Sequence, residues 1–96
     1  MSPERTQAYR RVMRTIDELG PSKLLSSEQD RIRLAADNLI FSSNLASDEP
    51  ALDALSDIEE LCAALVDSGR WETVTAERLD RDLRACGPTE PVAAAA

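Results

Sequence analysis

At 96 residues and 10.5 kDa the chain holds one compact domain with little stability to spare. Its 18 acidic against 11 basic residues give a formal net charge of -7 and a sequence pI near 4.5, which argues against nucleic acid or any other polyanion as a ligand. Histidine is absent altogether, which removes imidazole general bases, histidine metal ligands and Ser-His or Cys-His nucleophile activation.

The composition points to an all-α protein. Aromatics are only 3% (Tyr9, Phe41 and Trp71), and β-branched residues are sparse, so a multi-stranded sheet is hard to build. No apolar run approaches the ~20 residues of a membrane span, and Met1-Ser2-Pro3-Glu4-Arg5 lacks the apolar stretch of a signal peptide. Two cysteines, Cys62 and Cys86, do not make a disulfide framework, so reduced thiols and a cytoplasmic location are expected. Arginine makes up nearly all the basic residues and alanine is abundant, a bias of GC-rich bacterial coding.

Punctuation along the chain predicts four helices over about 3–19, 27–43, 49–68 and 75–86. Ser2-Pro3-Glu4 is a start signal, with a capping serine, a first-turn proline and an acid at the positive dipole end. Tyr9, Val12, Met13, Ile16 and Leu19 then form one stripe, which Gly20-Pro21 stops. Ser26 or Ser27 is the expected cap of the second helix, whose stripe is Ile32, Ala35, Ala36, Leu39 and Ile40. Leu34, Phe41 and Leu45 form a second apolar face on its far side. Either that helix is central and packed on both sides, or this face closes a homodimer.

Asp48-Glu49-Pro50 opens the third helix, which carries the best stripe of the chain: Ala54, Leu55, Ile58, Leu61, Cys62 and Leu65. Ser68-Gly69 ends it. Thr75 or Thr73 caps the fourth helix, with Leu79, Leu83 and Cys86 inward, and Glu77/Arg81, Arg78/Asp82 and Asp80/Arg84 as four-apart ion pairs. Gly87-Pro88 stops it. Residues 88–96 are too polar and too short to fold and are expected to be a disordered tail, with a docking peptide as one use for it. Short connectors between the helices favour a compact antiparallel four-helix bundle over residues 1–87.

Charge is not evenly spread. Residues 34–69 carry eight acids and no base, whereas the flanking segments together are nearly neutral. In the third helix Asp53, Asp57, Glu60 and Asp67 lie away from the apolar stripe, where they would either dock a basic protein partner or simply keep the chain soluble. Arg10, Arg11 and Arg14 make a small basic patch on the first helix, interrupted by Asp17 and Glu18 and without stacking aromatics. Trp71 stands between the third and fourth helices, as a plug at the end of the bundle or as an exposed binding anchor. Cys62 and Cys86 fall on apolar faces, out of register for a disulfide, and read as buried thiols.

One pattern has a different implication. Asp57-x-x-Glu60 followed by Glu77-x-x-Asp80 resembles the paired acidic motifs of all-α nucleotide pyrophosphohydrolases of the MazG type. That resemblance implies a Mg²⁺ held on a pyrophosphate by Asp57, Glu60, Glu77 and Asp80. Asp57 stands where the motif has Glu, and no lysine lies nearby to grip phosphate. The leading expectation is therefore a non-catalytic interaction or regulatory module without a cofactor.

Overall fold

A computed structural model describes residues 3–88, with all side chains in that span except those of Pro21 and Ala46; the expected C-terminal tail beyond Pro88 lies outside the described residues. The chain forms α1 (Pro3–Lys23), α2 (Ser26–Ile40), a 3-10 turn at Leu45–Ser47, α3 (Glu49–Asp67) and α4 (Thr73–Cys86). Among the described residues there is no strand. Each helix packs on the next, α4 closes back on α1, and α2 meets α4 across the diagonal. Tyr9 on α1 donates to Asp37 on α2, Arg31 on α2 reaches Asp57 on α3, and Arg11 reaches Asp82 on α4, so sequence neighbours run antiparallel. The result is the four-helix bundle expected from the sequence.

The core is made from the predicted stripes. Val12 and Ile16, Ile32 and Leu39, Ile58 and Leu65, and Leu79 and Leu83 are all excluded from solvent. Ala8, Ala35, Ala36, Ala51 and Ala76 are buried between them, small enough to let the backbones approach. Phe41, the largest apolar side chain of the second face, takes no part in this core.

Local chemistry sets the ends of the helices. The start of α3 is as predicted: Asp48 Oδ1 accepts from Ala51 N–H at 3.0 Å and Pro50 sits in the first turn. Its end also follows the sequence, with Gly69 at φ 78° and the Arg70 and Trp71 N–H groups both donating to the Leu65 carbonyl. Gly20, at φ 50°, ψ -159°, breaks the helical backbone where the sequence placed the stop, and a further turn beyond the kink carries α1 to Lys23. The starts of α2 and α4 differ from expectation. Neither Ser26 nor Ser27 caps α2; instead Glu28 reaches back and accepts the Leu25 N–H at 2.8 Å. α4 starts at Thr73, with the Glu72 carbonyl taking the Thr75 and Ala76 N–H groups.

α2 stops at Ile40, three residues short of its predicted end, and its last carbonyls are taken up from outside the helix. The Arg5 guanidinium donates to Leu39 O (2.8 Å), Ile40 O (3.0 Å) and Ser42 O (2.8 Å), and its Nε donates to Cys86 O at 2.8 Å. One side chain in the first turn of α1 thus caps the C-terminal ends of both α2 and α4. After α2 the chain turns, and Leu45, which the periodicity placed on the second apolar face, instead packs half-buried against the core.

The opposite pole is closed by the α3–α4 link. Trp71 is only 5% exposed, and its Nε1 donates to Lys23 O at 3.3 Å. It is the plug of the bundle and not an exposed anchor. Next to it Arg70 grips both Glu28 oxygens at 2.9 and 2.8 Å and also reaches Lys23 O at 3.1 Å.

Replacing Arg5 by Ala removes a charged donor from the carbonyls of Leu39, Ile40, Ser42 and Cys86, of which Leu39 O keeps the Ser42 N–H. With charged hydrogen bonds worth about 1.5–3 kcal/mol each and partial rescue by water, the expected loss of stability is about 2–4 kcal/mol. Arg5→Lys should recover only part of it, since an ammonium cannot span both helix ends. Urea unfolding followed by Trp71 fluorescence measures both; an unchanged midpoint for Arg5→Ala would remove this role.

Candidate functional site

The acidic segment acquires cations from its neighbours. Arg31 of α2 holds Asp57 through Nη2 at 2.6 Å and Nε at 3.0 Å. That pair pulls the Asp57 carboxyl below the usual carboxylate range, chiefly through the hydrogen bonds, and raises Arg31 in return. Arg84 of α4 bridges Glu59 at 2.6 Å and Asp80 at 3.0 Å, and its own pKa is raised by both. Asp57, read from the sequence as a docking residue, is therefore already engaged in the bundle.

The remaining acids of α3 are not. Glu49, Asp53, Glu60 and Asp67 are all exposed and form no ion pair among the described residues. Asp53, Glu60 and Asp67 follow one another at intervals of seven, two helical turns or roughly 10.5 Å apart along one line of the helix. Between them Ser56, Ala63 and Ala64 are exposed and small, so nothing on α3 itself shields the row.

On the adjoining helix Phe41 is 80% exposed and Leu34 62%. They too are seven residues apart and share a face. A cleft of about 270 Å³ between α2 and α3 is bordered by Leu34, Asn38, Asp53 and Asp57. The cleft thus joins one residue from each of two sets that the sequence kept separate, Leu34 of the apolar face of α2 and Asp53 of the acidic row of α3. Leu45 does not join them.

The carboxylates of the pyrophosphohydrolase-like pattern do not converge. Asp57 borders the α2–α3 cleft, Glu60 faces outward, and Glu77 and Asp80 line a groove between α3 and α4 together with Glu59 and Cys62. Asp57 and Asp80 are each taken by an arginine, and no group of three potential ligands forms among the described residues. The two motifs stay apart because Glu77 and Asp80 face the α3–α4 groove, whereas Asp57 and Glu60 lie on the α2 side and the outer face of α3. One oxygen, Asp80 Oδ1, is buried without a partner.

The remaining candidates settle into structural places. Cys62 and Cys86 are free and buried, and burial pushes their thiols up to about 11 and about 12, with Asp80 and Asp82 adding to the effect. Cys62 Sγ faces the Ala76 carbonyl at 3.9 Å. Arg11 of the basic patch donates to Asp82 at 2.9 Å, and Asp82 is buried on α4. That contact replaces the expected Arg78/Asp82 pair. Of the three pairs read along α4, only Asp80–Arg84 closes among the described residues. Arg10 and Arg14 stay exposed.

Two measurements follow from these environments. At pH 8 an aromatic disulfide reagent should modify native Cys62 roughly a hundredfold and native Cys86 roughly a thousandfold more slowly than the unfolded thiols, given the smaller thiolate fraction; equal rates in buffer and in urea would contradict the burial. Acid should also weaken the fold. Glu28, held low mainly by its Arg70 hydrogen bonds, and Asp57, held low by Arg31, have folded pKa values below their unfolded ones. Their contribution is complete above the ordinary carboxylate pKa and fades as pH falls through the depressed folded values, below about pH 4. The urea midpoint should therefore drop between pH 5 and pH 3, and less steeply in Glu28→Gln.

Comparison with family models, with curated proteins and with solved structures finds no match to this chain.

Proposed function

We propose that this protein is a non-catalytic interaction module, an adaptor or regulator, that docks a basic protein partner on its α2–α3 surface. The observation that carries this reading is the selective neutralisation of the acidic segment. Arg31 and Arg84 come from neighbouring helices to balance Asp57 and Glu59, while Glu49, Asp53 and Asp67, together with Glu60, which feels Arg31 without bonding to it, form an exposed line free of contact ion pairs among the described residues. A row of like charges at the surface costs stability through mutual repulsion and steers a partner of opposite sign. Among the described residues no helix is long and apolar enough to cross a membrane. Two free buried thiols are compatible with a reducing cytoplasmic setting.

The test is charge reversal at the row. A variant carrying Asp53→Lys, Glu60→Lys and Asp67→Lys should keep its helical circular dichroism, because these positions are exposed, and should lose partners that the wild type captures from its source cells in a salt-sensitive manner. Quantitative mass spectrometry of the two captures decides. Identical capture by the folded variant rejects the acidic row as a docking surface.

A further inference from the structure

The proposed docking surface also has an apolar component, and its geometry specifies the shape of the partner. Leu34 and Phe41 stand on the outer face of α2 at 62% and 80% exposure, two turns apart. Neither contributes to the core, so the fold gives no reason for an exposed leucine and phenylalanine at these positions. Across the cleft that Leu34 shares with Asp53 begins the acidic line of α3. The Arg31–Asp57 pair sets antiparallel α2 and α3 in a register where Leu34 lies level with Asp53, so the Leu34–Phe41 pair borders the Asp53 end of the acidic line and Glu60 and Asp67 continue beyond it along the same axis. An apolar pair followed by a charged line along one axis is what a helix laid lengthwise would meet in succession.

We infer that the partner contributes an amphipathic helix, with apolar side chains two turns apart covering Leu34 and Phe41 and Lys or Arg along the flank that faces Asp53, Glu60 and Asp67. Charge decides between this occupant and a second copy of the chain. A two-fold dimer through α2 would bring together two molecules of formal charge -7, each with eight carboxylates and no cation in residues 34–69. Like charges brought together across an interface oppose association, whereas a basic helix relieves the same field. The α2–α3 cleft, about 270 Å³, is large enough for one aliphatic side chain of that helix beside Leu34.

This inference rests on the acidic-docking reading, and the experiment separates the two. The probes are a designed 21-residue helical peptide with Leu at heptad positions and Lys on one flank, and its counterpart with Glu in place of Lys. Binding is followed by calorimetry and by amide chemical shifts. The lysine peptide should bind and move the amides of Leu34, Phe41, Asp53 and Glu60, and the glutamate peptide should not bind. Leu34→Ser with Phe41→Ser should weaken binding at least tenfold without lowering the unfolding midpoint. Loss of binding in the charge-reversed variant alone, with the serine variant unaffected, overturns the apolar row and leaves acidic docking standing. No binding of the lysine peptide at millimolar concentration overturns the helix inference. Sedimentation of the wild type as a dimer that Leu34→Ser and Phe41→Ser dissolve also overturns it, by making the second copy the occupant.

Discussion

The bundle depends on how two parallel helices can end side by side. α2 and α4 run in the same direction, so their C-terminal carbonyls, and the negative ends of their dipoles, meet at one pole. Left to themselves these groups would repel and would be partly cut off from water. Arg5 places a planar cation with several donors between them, and three carbonyls from the two helices, with that of Ser42 just past α2, point at it. Because Arg5 sits on the first turn of α1, the same contact fixes where α1 enters the bundle. Helix termination, helix registry and the arrangement of three helices are thus coupled through one guanidinium.

Arginine has the same part elsewhere. Arg11 holds α1 to Asp82 of α4, Arg31 holds α2 to Asp57 of α3, Arg84 holds α4 to Glu59 of α3, and Arg70 holds the α3–α4 link to Glu28 of α2. Each joins two elements at the edge of the core, and each lays an aliphatic stem along the packed helices. Most of these pairs are half-exposed and individually modest. Two of the eight acids between residues 34 and 69, Asp57 and Glu59, serve in this way as acceptors for arginines that lie outside that segment. The acids left over therefore stand out, since the fold has cations to spare for Asp57 and Glu59 and directs none at Asp53 or Asp67.

Local periodicity showed the helices and most of the core, because an apolar stripe and a cap are short-range signals. Ile32, Ala36, Leu39, Leu55, Ile58, Leu65, Leu79 and Leu83 were all placed inward by spacing alone. What spacing could not show were contacts between residues distant in sequence. Arg5 meets Cys86 across 81 positions and Arg11 meets Asp82 across 71, and no window of the chain contains both partners. Leu45 was misplaced because it continues the phase of Leu34 and Phe41 only if α2 continues, and α2 ends at Ile40. The α4 pair Arg78/Asp82 failed for a related reason, because a buried aspartate takes the cation of the helix it faces. At the candidate site the acidic row was legible as a face of one helix, but its adjacency to Leu34 is a property of two packed helices.

The Arg5–Cys86 bond also brings the first turn of α1 within 2.8 Å of the last residue of α4, so the described chain is nearly a closed ring. In such a ring the order of elements along the covalent chain is not fixed by the packing. A short link from residue 88 back to residue 3, with a new opening in the exposed turn at Gly69, would leave all four helices with their neighbours unchanged. The sequence separation of the Arg5–Cys86 contact would fall from 81 positions to a few, and with it the loop-closure entropy of joining α1 to α4, while the Arg5 contacts to the end of α2 would keep their separation.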